Sequence, residues 1–157
     1  MSRPTTPELA LRDALRARLK ADAGFTALVG KRFYDEVPAG IGRAEPSAAE
    51  ARPPYAYLGP MRRAGYAESC VAAWTIQARL YAVSTAFDRD QGWLVTEAMI
   101  AALNGLEQPD LPLAAPYSLR TPIDIVQAGD VTDPLQAKSV FLDLRTTIAR
   151  PLPEQED

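Results

Sequence analysis

The stretch CVAAWTIQARLYAV, residues 70–83, decides the fold. Ala72, Trp74, Ile76, Ala78, Leu80 and Ala82 fall on one side of an extended chain. Val71, Ala73, Thr75, Gln77, Arg79 and Tyr81 fall on the other. Side chains of a strand point to opposite faces in turn, so this spacing predicts a strand with one buried face and one partly wet face. Upstream stands EARPPYAYLGP, residues 50–60, in which two prolines stiffen the entry to Tyr55, Ala56, Tyr57 and Leu58. A double proline cannot join a helix interior and keeps the preceding backbone extended. Residues 55–61 are therefore read as the partner strand, with Arg62, Arg63, Ala64 and Gly65 as the hairpin turn and Gly59 and Pro60 as a stop signal.

Helices flank this hairpin. Thr5 and Glu8 have capping-box spacing, and Thr6 before Pro7 is an equally good entry. Leu11, Leu15 and Leu19 then recur on one side with Arg12, Arg16 and Lys20 opposite, an amphipathic helix to about Ala21. Asp22 caps a short second helix with Phe25, Leu28 and Val29 inward and Gly30 as its end. Arg32, Phe33 and Tyr34 form a brief strand. Asp88 and Gln91 start a further helix over residues 89–104, with Leu94, Ala98, Ala101 and Ala102 as its buried stripe and Trp93, Ile100 and Leu103 widening it.

The C-terminal third reads as a second hairpin. Residues 117–127 make a weaker strand broken by Pro122, which points to an edge or a bulge. A turn over residues 129–134 leads to a strand at 137–148, where Val140, Leu142, Leu144 and Ile148 alternate with Phe141, Asp143, Arg145 and Thr147. The expected architecture is α+β, a mostly antiparallel sheet of about four to five strands with two main helices on one face. The chain has 157 residues, enough for one domain with one sizeable core. That domain spans residues 1–149, with a loop at about 35–54 and a flexible tail at 150–157. Such a long loop inside a compact domain is uncommon and usually serves a function.

Composition narrows the chemistry. The sequence holds no histidine, which removes Ser-His-Asp and Cys-His nucleophile systems and the commonest transition-metal ligand. Cys70 is the one cysteine, so no intrachain disulfide can form, and at the head of an apolar strand it reads as a small hydrophobe. The acidic pairs Asp35 and Glu36, Asp88 and Asp90, and Asp130 and Asp133 suit caps and turns better than a cation. Gly40 and Gly42 lack the strand and the lysine of a phosphate loop. No catalytic residue, cofactor or metal is expected, and the chain reads as a non-enzyme. The N-terminus is too charged for a secretory signal, and no apolar run is long enough for a membrane helix, so an intracellular protein without membrane contact is expected. The net charge of −3 does not favour nucleic-acid binding, although Arg62, Arg63 and Arg79 gather locally. Tyr55, Tyr57, Trp74 and Tyr81 could stack bases on a sheet, but no basic residue alternates with them in the 55–61 strand.

The order of landmarks carries a resemblance. ALRARLKADAGFTALVGKRFYDEVPAG is followed by PPYAYLGP, AAWTIQARLYAVS, VTEAMIAALNGL and VFLDLRTTI. Over roughly residues 6–149 this resembles the tail terminator, or tail completion, proteins of long-tailed bacteriophages and gene-transfer agents. The resemblance implies a hexameric ring in the virion, assembled in the host cytoplasm. It would cap the head-proximal end of the tail tube and meet the tube protein on one side and the head-side connector on the other. Genomic DNA would pass through its lumen without specific binding. The long 35–54 loop departs from the pattern, so no contact is carried over to it. Rings of one repeated chain use heterologous contacts, for which strand edges are ready sites. The candidate subunit or partner contacts are accordingly Arg52, Pro53, Pro54, Tyr55, Tyr57, Arg62, Arg63 and Pro122. The alternatives are another head–tail joining or tube protein, or a monomeric intracellular domain binding a peptide or nucleic acid.

Overall fold

The computed structural model describes residues 5–35, 54–67, 71–84, 89–131 and 139–151. Three helices and six strands follow in the order α1 (Pro7–Ala21), α2 (Ala23–Val29), β1 (Phe33–Tyr34), β2 (Tyr55–Ala67), β3 (Val71–Val83), α3 (Arg89–Leu103), β4 (Ser118–Leu119), β5 (Asp124–Val131) and β6 (Ser139–Pro151). The fold is α+β, as expected. The sheet runs β1-β2-β3-β6, with β4 and β5 both pairing with β6. Every pairing is antiparallel except the two-residue parallel joint of β1 with β2.

Local signals place the first elements. The Thr6 hydroxyl accepts from the Leu9 N–H at 3.2 Å, with Pro7 in the first turn, and α1 starts there. The Asp22 carboxylate accepts from the Phe25 N–H at 2.8 Å and opens α2. Gly30, at φ 60°, ends α2 in a conformation that disfavours other residues. Leu11, Leu15 and Leu19 of α1 and Phe25 and Val29 of α2 are fully buried against Ile76, Leu80, Leu142 and Leu144 of the sheet, all in one hydrophobic core.

The hairpin is longer than the sequence reading expects. Arg62, Arg63, Ala64 and Gly65 do not turn the chain; they continue β2 opposite Gln77, Ile76, Thr75 and Trp74. Gly59 and Pro60 do not stop the strand either, since the ladder shifts register between Leu58 and Met61 and resumes. Proline lacks an N–H, and one placed where a bulge already interrupts the ladder leaves no bond unmade. Likewise β5 runs through Gly129 and Asp130 to Val131, and β6 extends past residue 149 so that Arg150 and Pro151 pair with Ala72 and Val71.

Helix α3 lies where expected, with Ala98, Ile100, Ala102 and Leu103 toward the core as read, but its buried side is turned away from Trp93, Leu94 and Ala101. Gly92, Val95, Thr96, Met99, Ala102 and Leu103 are buried, whereas Leu94 is 60% exposed, Trp93 38%, and Ala101 faces solvent. Two small residues explain the turn of the helix. A Cβ at Gly92 would stand 3.1 Å from Val140, so glycine permits close approach to β6. Thr96 satisfies its hydroxyl on the Gly92 carbonyl at 2.9 Å and can therefore be buried. Among the described residues no helix is long and apolar enough to cross a membrane.

Candidate assembly surfaces

The helices cover one face of the sheet. On the other face, Tyr34, Tyr55, Tyr57 and Tyr81 form a chain of rings across β1, β2 and β3, with centroids 6.1, 6.3 and 4.9 Å apart. Tyr55 is 3% exposed, and burial, with Tyr57 and Tyr34 adding to it, pushes its phenol pKa up to about 12. Tyr57 is raised too, by burial first and Tyr81 second. Trp74 points the opposite way, toward Tyr117 and the helix side. The four aromatic residues therefore share no base-stacking platform. Of the candidate contacts on this face, Tyr55 is buried and Tyr57 half-buried.

Next to the rings lies a charged network. The Arg79 guanidinium donates to Asp143 through two bonds of 2.7 and 2.9 Å and sits over the Phe141 ring at 4.3 Å. Gln127 of β5 donates to the same carboxylate at 2.7 Å. Arg79, then Gln127, hold the Asp143 carboxyl below the usual carboxylate range against the opposing effect of burial. Arg145 donates to Asp124 at 2.7 Å, so β3, β6 and β5 are laced together by ion pairs on this face.

On the helix side, Arg63 reaches across to Glu8 in α1 through both guanidinium arms, the outer one at 2.7 Å. This pairing, first through its hydrogen bonds, lowers the Glu8 carboxyl. Arg63 and Arg150 both lie over the Trp74 ring, at 5.5 and 5.6 Å. The Arg150 Nε is buried without a hydrogen-bond partner among the described residues, and the indole face supplies its attraction instead. Arg62 points to the opposite face, is exposed, and has no ion-pair partner among the described residues.

Both sheet edges follow from this layout. On the near side β1 covers only Ala56 and Tyr57, so β2 has no outer partner from Leu58 onward among the described residues. Pro54 joins the β1 contact, its carbonyl accepting from the Arg32 Nε at 2.9 Å. The proline-led entry is thus pinned, and the free edge begins beyond it. Arg52 and Pro53 lie outside the described residues. On the far side Pro122 is exposed at the break between β4 and β5. Thr121 holds the break against β6: its hydroxyl accepts from the Thr147 N–H and its carbonyl from the Thr146 hydroxyl, both at 2.9 Å. Beyond the break β5 pairs only with β6 among the described residues.

Among the described residues, depressions of 200 and 380 Å3 on the sheet and one of 250 Å3 between β4 and the loop after α3 are partly open to solvent. No group of three or more metal-ligating side chains is found among the described residues. Residues 13–149 match the tail completion protein gp17 family. The chain belongs to that family. As a tail completion protein it is a structural component of phage-type tails, as the order of its landmarks implies. Its fold is that of a chain in the virion of a native gene transfer agent particle, at 24% identity and a TM-score of 0.73, over 93% of this chain and 99% of that one. No curated protein sequence matches it. Sequence reasoning missed the apolar side chains that this tail completion protein leaves in solvent on α3 and β5. Their signal lay in α3, which is apolar around most of its circumference.

Proposed function

We propose that this tail completion protein is a tail terminator. Copies close into a ring, of six by the family resemblance, on the head-proximal end of the tail tube. There the ring stops polymerisation and offers its opposite surface to the head-side connector, while DNA passes through the bore. Membership of the tail completion family over residues 13–149 is the observation that carries this reading. Two further features support it. The sheet has two dissimilar free edges among the described residues, as head-to-tail closure of one repeated chain requires. The net charge of −3 favours passage of duplex DNA over adhesion to the wall. Particles assembled without the chain should show tubes of uncontrolled length and filled heads with no tail. Tails of normal length on filled heads would overturn the proposal, as would purified protein that binds along the shaft of growing tubes.

A further inference from the structure

How neighbouring copies join can be argued from the sheet itself, taking the ring as given. We propose that the outer edge of β5 in one copy pairs antiparallel with the free edge of β2, residues 61–67, in the next.

Strand direction comes first. The four long strands β2, β3, β6 and β5 lie side by side, and each is antiparallel to its neighbour. With β2 running up, β3 runs down, β6 up and β5 down. A second copy placed alongside in the same orientation, as rotation about a ring axis requires, brings its upward β2 beside the downward β5. The alternation continues across the joint, and the ladder formed is of the antiparallel kind that the whole sheet already uses. An odd number of long strands would have set two like directions together. Each edge carries one register shift, β2 between Leu58 and Met61 and β5 between Ile125 and Gln127, and beyond it each has a clear run, over 61–67 and 127–131.

Side chains agree with the backbone. Among the described residues five large apolar side chains are exposed, and two of them, Val126 at 46% and Val131 at 37%, lie on β5. Unpaired edges are normally blunted by charge, whereas these valines invite pairing. Charge bears on the joint through Arg62, which is exposed on β2 without an ion-pair partner among the described residues, whereas Arg63, Asp124 and Asp130 are already held by Glu8, Arg145 and Arg89. Arg63 lies opposite Ile76 and Asp130 opposite Val140, both on the helix side of the sheet. Keeping like faces together and overlapping the clear run of β5 in full sets Arg63 beside Asp130 and Arg62 beside Val131.

A charge exchange tests this with the full chain, its assembly followed by light scattering and its folding by circular dichroism. Arg62→Glu and Val131→Lys each alter an exposed side chain, so both variants should melt like the wild type. Each alone should raise the concentration needed for assembly about tenfold or more, the first by repelling the acids of β5, the second by repelling Arg62. Mixed in equal amounts they should assemble again. At one joint the introduced lysine of the second variant then meets the introduced glutamate of the first, and the next joint is wild type. Val131→Arg brings the same charge to the same place if Val131→Lys misfolds. Folded variants that assemble like the wild type, or a mixture that stays apart, overturn the β5–β2 joint while leaving the ring intact. A wild-type chain that remains single, both free and on isolated tail tubes, overturns the ring and the joint together.

Discussion

Gly59 shows how one atom can be decisive at the residue scale. A Cβ there would stand 2.5 Å from the Tyr81 ring and 3.0 Å from the Arg79 carbonyl, where no side chain fits without displacing the stacked tyrosines. Gly59→Ala should cost ~1–3 kcal/mol of stability, read as a lower denaturant midpoint at unchanged slope. The same ring cluster has a titration signature. Tyr55 has its phenol pKa raised to about 12 in the folded chain, above the ~10 of a free tyrosine, so its neutral form is favoured by folding. That contribution is complete below pH ~10 and is lost as pH rises from there through the folded value. Spectroscopic titration of the wild type should therefore show a late phenolate step, and Tyr55→Phe should remove that step and flatten the alkaline loss of stability. A step that ends with the free tyrosines would contradict the burial.

At the scale of elements, what the sequence disclosed depended on how local the signal was. The α1 and α2 starts were legible because Thr6, Pro7 and Asp22 act on N–H groups three residues away. The alternation in β3 and β6 was legible because a period of two survives any tertiary arrangement. Pro122 announced a broken edge, and Thr121, bonded to Thr146 and Thr147 of β6, supplies the bonds that the break would otherwise lose. The length of β2 was not legible, since Gly59 with Pro60 and the run from Arg62 to Gly65 have turn composition, and only the facing ladder of β3 overrides it. For the same reason the chain of rings was not legible, since Tyr55 and Tyr57 meet Tyr34 and Tyr81 on other strands. Helix α3 misled because glycine and threonine form its tightest contact while Leu94 stays in water. A pair of substitutions checks that orientation by thermal melting. Met99→Ala should cost ~2–5 kcal/mol by opening the core, whereas Leu94→Lys should stay within about 0.5 kcal/mol.

For the whole molecule, the helical layer and the sheet divide the work. The core between them makes the chain one stable body, and the strand edges remain outside that core. Substitutions at Arg62 or Val131 are thus expected to separate assembly from folding, while those at Met99 or Gly59 affect both. The two tryptophans of the sequence fall on opposite sides of this division. Trp74 is packed beneath the guanidinium groups of Arg63 and Arg150, and Trp93 is 38% exposed on the outside of α3. Intrinsic fluorescence therefore offers two separate dyes. A Trp93→Phe chain would glow from the interior and report denaturation, whereas a Trp74→Phe chain would emit from a partly wet ring and shift to the blue when another macromolecule settles over the helix.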